Sequence, residues 1–480
     1  MSCNIGNVTY PDTIPGQGNL VFEASFESGN LGRVDKVSCS EYDLFIRPDT
    51  LNSKYRVWFY FECKNATESQ RIIFNIVNFS KQRTLFEMGI AAPVVKSNAN
   101  NSWARIPSRH IYYYRSSQHN DRWILSFAFI FESSDPVQFA YCIPYTYGQM
   151  QSWLNELESR KYTFFHRDLL IHTVQKRRVD LITIDGSSDT FQGSKKMIFL
   201  TARVHPGESP SSHVMHGIIE FLVSKDDRAQ KLRKVYCFKI IPMLNPDGVY
   251  LGNYRCSLMG HDLNRMWRGP SEWAHPSIYA VKSLLTQYDN NPQAQTVIYV
   301  DLHAHSQKPN CFLYGNVSVT AVSLLFLFKK LFKNQKKFPF PVEEKSTSRQ
   351  LWLPQLLSEL SEDYSLEFTQ FNTDVEKAGT GRRTMGELLS CLCYTLEVSF
   401  FSYRHVDSSG NGIQHCTPYL QYKYEALGEA FCRALLNFYE ADCGIREVLL
   451  ERPFKTFLPA RAQKSLKKQA RKMIQTVMIK

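Results

Sequence analysis

The chain has 480 residues, of which 43% are hydrophobic and 21% are charged, so it is long enough for two or three domains and too apolar to be disordered overall. The net charge is +12, but residues 452–480 contain nine Lys or Arg residues and no Asp or Glu. The remaining chain carries only +3, which disfavours a uniformly basic nucleic-acid-binding protein. Residues 1–16 lack the pattern of a secretory signal and no apolar run is long enough to span a bilayer, so we expect a cytosolic protein.

Residues 18–148 are predicted to form a β-sandwich domain, preceded by an N-terminal extension over residues 1–17. Tyr55–Cys63, Arg71–Ser80 and Arg122–Ser133 are short, rich in aromatic and β-branched residues, and partly alternating, as is typical of strands. Loops rich in Asn, Ser and Pro separate them, and no helical pattern lies between them. This arrangement predicts an antiparallel sandwich.

From residue 149 the pattern changes, and we predict a catalytic domain over residues 149–445 followed by a basic tail over residues 446–480. Apolar strands are predicted at Lys196–Val204, Val235–Leu244, Thr296–Leu302 and Tyr394–Phe400. Helices are predicted at Gln149–Lys161, Ser211–Ser224, Ser277–Tyr288 and Leu353–Ser361. Strands alternating with helices predict an α/β domain whose sheet is mixed and partly parallel, with helices on both faces.

Side chains that can bind a metal follow these strands or lie within them. His205 and Glu208 follow the first strand, His303 and His305 follow the third, and Glu397 lies within the last. In such sheets, ligands and catalytic groups collect beyond the carboxyl ends of the strands. His205, Glu208 and one of the two later histidines would supply three ligands and leave one position for water, as a catalytic zinc requires.

Six sequence blocks carry a more specific resemblance, and they occur in the expected order. They are HPGESP (205–210), NPDGVYLGNYRCSL (245–258), HDLNRMW (261–267), DLHAHS (301–306), KAGTGRR (377–383) and CYTLEVSF (393–400). These blocks resemble the cytosolic carboxypeptidases, the tubulin-type deglutamylating branch of the zinc carboxypeptidases. FESGNLGRVD (26–35) and YDLFIRPDT (42–50) resemble the N-terminal module of that family. The resemblance spans about residues 20–440, and the compact chain is similar to the short members of the family.

The resemblance implies a zinc site and a catalytic base. His205, Glu208 and His303 would hold one zinc ion per chain, with His303 chosen by its place in the D-x-H-x-H-S block. Glu397 would be the general base that activates the attacking water and later protonates the leaving amine. Asp262 would accept a hydrogen bond from a ligand histidine and so orient it.

The same resemblance implies residues that bind the substrate. Arg255 would stabilise the oxyanion of the tetrahedral intermediate, an interaction worth on the order of 3–4 kcal/mol. Asn264 and Arg265 would bind the terminal carboxylate of the substrate, for which a guanidinium is well shaped. A pocket that accepts glutamate must also supply a fixed cation. The cations expected in that pocket are Arg382, at the specificity position, with Lys377 and Arg383 as neighbours.

The first hypothesis is therefore a zinc metallocarboxypeptidase that removes C-terminal or side-chain-linked glutamates from polyglutamylated and acidic proteins such as tubulin. It would act in the cytosol, with a place at the cytoskeleton, centriole or cilium, and would require neither a membrane nor a nucleic acid. Two alternatives remain open. One is a catalytically silent microtubule-binding protein that keeps the fold, although the presence of Glu397 and all three ligands disfavours it. The other is a small-molecule N-acyl amino acid deacylase.

Overall fold

The computed structural model describes residues 16, 18–80, 85–97, 102–186, 195–316, 337–338, 345–372, 377–406, 414–448, 450–451 and 455–457. Most of the predicted N-terminal extension and most of the predicted basic tail lie outside these residues. The described residues form an N-terminal β-sandwich and a larger α/β domain. None of their helices is both long enough and apolar enough to cross a membrane.

The N-terminal domain contains two five-stranded sheets within the described residues. The strands are β1 Val21–Glu23, β2 Arg33–Ser38, β3 Glu41–Phe45, β4 Tyr60–Lys64, β5 Arg71–Ile76, β6 Val94–Ser97, β7 Ala104–Arg105, β8 Ile111–Ser116, β9 Arg122–Ile130 and β10 Val137–Ala140. One sheet has the order β1-β4-β10-β6-β7 and the other β2-β3-β5-β9-β8. The predicted antiparallel sandwich is confirmed, with one exception: β3 and β5 pair in parallel.

An aromatic core joins the two sheets. Phe61 and Phe139 project from the first sheet and Phe74 and Phe127 from the second, and all four are buried. The ring centroids of Phe74 and Phe139 lie 5.2 Å apart, and those of Phe74 and Phe61 lie 6.0 Å apart. Because successive side chains of a strand point to opposite faces, the partial alternation in the sequence places one face of each strand in this core.

The α/β domain is built on a nine-stranded mixed sheet with the order β11-β12-β14-β13-β15-β19-β16-β18-β23. Two further strand pairs, β17 with β22 and β20 with β21, lie outside it. The strands are β11 Phe165–His172, β12 Arg178–Ile184, β13 Lys195–Ala202, β14 Cys237–Ile241, β15 Ala294–His305, β16 Cys311–Asn316, β17 Lys337–Phe338, β18 Gln370–Asn372, β19 Leu392–Ser399, β20 Ser402–Val406, β21 Gln414–Pro418, β22 Leu450–Glu451 and β23 Lys455–Phe457. The centre of the large sheet, from β14 through β13 and β15 to β19, is parallel.

Helices cover both faces of this sheet. They are α1 Tyr147–Ser159, α2 Ser209–Val223, α3 Asp227–Val235, α4 Pro246–Leu251, α5 Pro276–Asp289, α6 Lys345–Leu360, α7 Gly381–Leu388 and α8 Gln421–Asp442. Ile198 and Leu200 of β13 pack in the apolar cluster beneath α2 and α8, whereas Phe199 packs on the other face with Ile278 of α5. The predicted α/β architecture is therefore confirmed.

One difference between prediction and structure in this domain concerns α6. The sequence predicted a helix over Leu353–Ser361, but α6 begins at Lys345 and carries Pro354 in its interior. Proline is typical of the first turn of a helix, so Pro354 placed the predicted start of the helix at Leu353. The two helical turns before it were therefore not predicted. The elements that were predicted around the candidate site differ from the observed ones by a few residues at their ends, whereas α7 and the long helix α8 were not predicted.

Candidate active site

Three side chains converge at the carboxyl ends of β13 and β15. His205 and Glu208 lie in the turn between β13 and α2, and His303 lies near the end of β15. One ligand atom from each residue lies within 4.8 Å of the others. Nδ1 of His205 is 2.7 Å from Oε1 of Glu208, and Nδ1 of His303 is 3.0 Å from Oε2 of Glu208. The three side chains are buried, so they form a compact site with two nitrogen donors and one carboxylate.

Carboxylates hold the far side of both imidazole rings. Nε2 of His205 lies 3.1 Å from Oδ1 of Asp262, and Nε2 of His303 lies 2.8 Å from Oδ2 of Asp301. Asp301 in turn accepts a hydrogen bond from the Thr201 hydroxyl at 2.7 Å. With Nε2 engaged in this way, Nδ1 of each ring is directed to the centre of the site.

Sequence reasoning assigned no role to Asp301. A signal for it was present, because residues two apart on a strand point to the same face, and Asp301 and His303 are two apart on β15. His305, the other histidine of that strand end, is not a member of the cluster. Its Nδ1 accepts hydrogen bonds from the backbone N–H groups of Gln307 and Lys308.

The electrostatics of the cluster favour a bound cation. Burial alone would lower the pKa of His303, but Asp301 and Glu208 outweigh it and hold the pKa of that imidazole well above its usual range. Burial would raise the pKa of Glu208, but the two histidines hold it well below its usual range. Two imidazoles and a carboxylate are a donor set that zinc binds in catalytic sites. The residues of the cluster therefore fit a zinc ion.

Glu397 lies beside these groups on the neighbouring parallel strand. It is the register partner of His303 across the β15–β19 pair and lines the same cavity. Burial, with a further contribution from Glu208, outweighs the attraction of His303 and raises the pKa of Glu397 to about 7. A carboxylate whose pKa lies near neutrality can accept a proton and return it, as a general base that later acts as an acid must.

Arg255 is positioned by residues of both domains. Its Nε and Nη2 lie 2.8 Å and 2.7 Å from Oδ2 of Asp262, so Asp262 joins Arg255 to His205. The backbone N–H groups of Tyr254, Arg255 and Cys256 donate to the carboxylate of Asp49 at 2.6, 2.7 and 2.7 Å. Asp49 belongs to the N-terminal domain and is only 3% exposed. Sequence reasoning missed it, since nothing in the linear chain pairs residue 49 with residues 254–256.

The segment before Arg255 also rests closely on the N-terminal domain. Gly252, which follows α4, has a φ of +73°, and a Cβ atom at this position would lie 2.6 Å from the carbonyl oxygen of Gly29. The Asn253 side chain accepts a hydrogen bond from the backbone of Thr50 at 3.1 Å. A glycine is needed at position 252 for both its conformation and this close approach.

A cavity of about 220 Å³ opens in front of the metal-ligand cluster. This is below the range of about 300–1,000 Å³ that drug-sized ligands occupy, so the cavity suits a small group such as one amino-acid residue. Besides the cluster and Glu397, its lining includes Arg255, Asn264, Arg265, Lys377 and Arg382. Sequence reasoning gave no role to several other lining residues: Tyr254, Ser306, Gln307, Tyr314, Thr380 and Thr395.

Arg382 supplies a buried positive charge to this cavity. Its guanidinium donates hydrogen bonds to the backbone carbonyl of Gly315 at 2.8 Å and to the side-chain oxygens of Asn316 and Asn372 at 2.6 and 3.1 Å. Burial lowers the pKa of Arg382 only to about 10, so it stays protonated at neutral pH. All three acceptors are neutral, so they hold the guanidinium in place without cancelling its charge.

The two other predicted cations differ from each other. The ammonium of Lys377 lies 4.0 Å from the centre of the Tyr314 ring, and both residues line the cavity. Arg383 does not line it: its guanidinium donates to the carbonyl of Asn372 at 3.2 Å and pairs with Glu387 at 3.3 Å. Successive residues of a helix point about 100° apart, so α7 can direct only one of its two adjacent arginines into the cavity. Arg383, predicted as a neighbour of Arg382 in the pocket, therefore lies outside the lining of this cavity.

Comparison with known proteins identifies the family of both domains. The zinc carboxypeptidase family matches residues 150–377, and the cytosolic carboxypeptidase N-terminal domain matches residues 22–142. A protein named cytosolic carboxypeptidase 6 from Caenorhabditis elegans is 89% identical over 476 residues, covering 99% of both chains. The human protein of that name is 47% identical over 443 residues, covering 92% of this chain and 82% of its own.

Solved structures show the same fold at lower sequence identity. A metallo-carboxypeptidase from Burkholderia cenocepacia superimposes with a TM-score of 0.67 at 22% identity, covering 88% of this chain and 99% of its own. One from Pseudomonas aeruginosa gives a TM-score of 0.66 at 22% identity, covering 89% and 100%. The family resemblance predicted from six sequence blocks is confirmed over the whole chain: it belongs to the cytosolic carboxypeptidase family of zinc carboxypeptidases.

Proposed function

We propose that this carboxypeptidase removes glutamate residues from the C-termini or glutamylated side chains of acidic proteins, with polyglutamylated tubulin as one substrate. The proposal includes one zinc ion per chain and a location in the cytosol, at or near the cytoskeleton. The relatives described above are named cytosolic carboxypeptidases, and these names support the cytosolic location. The presence of the three candidate ligands and of Glu397 in one cavity argues against a catalytically silent protein.

The observation that carries the glutamate specificity is the charge of Arg382. A buried guanidinium held only by neutral acceptors is costly unless a ligand brings the opposite charge. The cavity is small enough for one residue, so the side-chain carboxylate of a terminal glutamate would supply that charge. Lys377, which lines the same cavity, adds to the attraction. A neutral terminal side chain would leave the guanidinium without a counter-charge.

The remaining residues divide the hydrolysis between them. A bound zinc ion would act as a Lewis acid toward the scissile carbonyl. Glu397 would take a proton from the attacking water and pass it to the leaving amine as the C–N bond breaks. Arg255 would donate to the oxygen that becomes negative during attack. Asn264 and Arg265 would bind the terminal carboxylate, and Arg382 the side-chain carboxylate.

The direct test is the release of free glutamate from a synthetic peptide that ends in several glutamates. We expect release by the purified protein, its loss after treatment with a chelator, and its recovery when zinc is restored. A matched peptide ending in alanines is the control for side-chain selectivity. If both peptides were cleaved equally well, the glutamate proposal would fail while the carboxypeptidase assignment stood.

The substitution Arg382→Gln tests the pocket charge. Removing one partner of a buried charge pair costs about 2–5 kcal/mol, so we expect kcat/KM for a terminal glutamate to fall by roughly 30-fold or more. Glutamine ends at about the position of the arginine Nε and does not reach these acceptors, so zinc content and thermal unfolding of the variant are measured beside the kinetics to show that the fold persists. Steady-state kinetics on the glutamate and alanine peptides would measure the change.

Arg383→Gln is the matched control, because it removes the same charge from the same helix outside the cavity. We expect this variant to cleave both peptides at nearly the wild-type rate. An equal loss of glutamate cleavage in the two variants would mean that the general charge of α7, and not the Arg382 position, attracts the substrate.

A further inference from the structure

A second concave surface lies on the N-terminal domain, at one end of the β2-β3-β5-β9-β8 sheet. We call it the N-domain groove; it has a volume of about 950 Å³, several times that of the active-site cavity. Phe45 at the end of β3, Trp123 at the start of β9 and the segment after β5 contribute to its lining. The charged residues of the lining are Lys54, Arg56, Arg115, Arg122 and Asp121.

The four cations of the N-domain groove lack a carboxylate partner among the residues that the structure describes. None forms an ion pair with another residue that the structure describes. The Arg56 guanidinium donates to the backbone carbonyls of Asn78, at 3.0 Å, and Ser53, and Arg115 Nε donates to the carbonyl of Asp121 at 3.1 Å. These carbonyls orient the guanidiniums without cancelling their charge. Four positive charges and one carboxylate make a groove that attracts polyanions.

The loop that lines one side of the groove also contacts the candidate active site. Tyr55 lies between Lys54 and Arg56 in the sequence, and the guanidinium of Arg255 lies 5.9 Å from the centre of its ring. Tyr55 does not line the groove, whereas both of its neighbours do, consistent with side chains that alternate along extended backbone. The same loop contains Asp49, which binds the backbone of Arg255. One short loop thus has one side toward the catalytic residues and the other toward the groove.

The dimensions of the groove suit an extended polypeptide. From β3 to β8 the sheet spans three strand spacings, which is about 14 Å. About four residues of extended chain cover that distance, at about 3.3–3.6 Å per residue. A substrate whose last residue lies in the active-site cavity has its preceding residues outside, and those residues can pass Tyr55 and enter the groove.

We propose that the N-domain groove binds an acidic, extended segment of the protein substrate that precedes the residue being removed. This inference rests on the proposed function, since it assumes that the substrate is an acidic polypeptide. A polypeptide is favoured over a nucleic acid because the occupant must be continuous with a chain end in the neighbouring cavity. Binding at the groove would raise the affinity for long acidic substrates and leave the chemical step unchanged.

The test compares two double variants. Lys54→Gln/Arg122→Gln removes two groove charges, and neither side chain makes a hydrogen bond or ion pair with another described residue. Arg71→Gln/Arg109→Gln removes two exposed charges near the opposite end of the same sheet, where Arg71 opens β5 and Arg109 precedes β8. Each pair is placed in the zinc-loaded protein carrying Glu397→Gln, so that substrate is bound but not consumed.

Binding is measured by fluorescence anisotropy with a labelled acidic peptide of about fifteen residues that ends in glutamates. We expect the groove variant to bind about tenfold more weakly at low ionic strength and the control variant to bind within about twofold of the parent. The difference should shrink as salt is added. Equal binding of the peptide by the two variants would overturn the proposal. The proposal would also fail if the parent protein bound a labelled single-stranded oligonucleotide through the groove residues but did not bind the peptide.

Kinetics of the same two double variants in the active protein, which keeps Glu397, separate this inference from the proposed function. A peptide of three glutamates leaves only two residues outside the cavity, too few to span the roughly 14 Å of the groove, so the groove variant should cleave it at nearly the wild-type rate and show a raised KM only for the long peptide. A loss on both peptides would contradict a docking role. If the wild-type protein failed to cleave the short peptide at all, the proposed function would fail, and the anisotropy comparison would still decide whether the groove binds acidic polypeptides.

Discussion

Replacing Glu397 with glutamine should reduce kcat/KM for a glutamate-ending peptide by roughly 10²–10⁴-fold, the usual contribution of a general base. Glutamine has nearly the same shape as glutamate but cannot take a proton from the attacking water. The side chain lies beside the ligand cluster and is not one of its three members, so zinc content should not change. Steady-state kinetics and elemental analysis of the purified variant would measure the two effects.

The pH dependence gives an independent check on the same residue. A base must be deprotonated to act, so wild-type kcat/KM should rise as the pH is raised through the pKa of Glu397. That pKa is raised to about 7 without a metal, and a cation bound beside it would lower it. We therefore expect the acidic limb of the profile below pH 7. Wild-type activity in Glu397→Gln would show that Glu397 is not the general base. A kcat/KM that falls as the pH rises toward 7 would show the same.

The second large effect is expected from Asp49→Asn, a substitution far from the reacting atoms in sequence. The Asp49 carboxylate accepts three backbone N–H groups from residues 254–256. Whichever way the amide is turned, its NH₂ group faces at least one of these donors and leaves it without an acceptor. An unsatisfied buried donor costs about 1–3 kcal/mol, and the loss of the negative charge weakens the other bonds.

We therefore expect Asp49→Asn to lower the free energy of unfolding by about 2–4 kcal/mol and to lower kcat by roughly 10²-fold, because Arg255 is displaced from the developing oxyanion. Urea unfolding and steady-state kinetics would measure these changes. Asp35→Asn is the control: its carboxylate is half-exposed and pairs with Arg33 on the surface of the same domain. A wild-type kcat in Asp49→Asn would show that the position of Arg255 does not depend on the N-terminal domain.

The fold was predictable from the sequence because its signals are local. Alternation along a strand such as β5, or an apolar run followed by His205 and Glu208, is contained within about ten residues. The ligand cluster was also within reach, because parallel strands bring their carboxyl ends to one edge of a sheet. The choice of His303 over His305 required the family resemblance, since both residues occupy the same end of β15.

The features that the sequence did not predict depend on distant parts of the chain or on the rotation of a helix. Asp49 is separated by more than 200 residues from the backbone groups that it binds. The groove cations come from the loop before β4 and from the β8–β9 hairpin, which meet only in the folded domain. Arg383 lies outside the cavity lining because one step along α7 turns the side chain away from the cavity. Each of these depends on geometry that one-dimensional patterns do not contain.

The contact between Asp49 and residues 254–256 also bears on how the chain can be divided for experiments. The N-terminal domain is synthesised first, so its carboxylate is available as a template when the later segment emerges and folds. A catalytic fragment that starts at residue 149 would lack the acceptor for three buried N–H groups and the surface on which Gly252 rests. The two domains are therefore better regarded as one cooperative folding unit than as a catalytic module with a removable appendage.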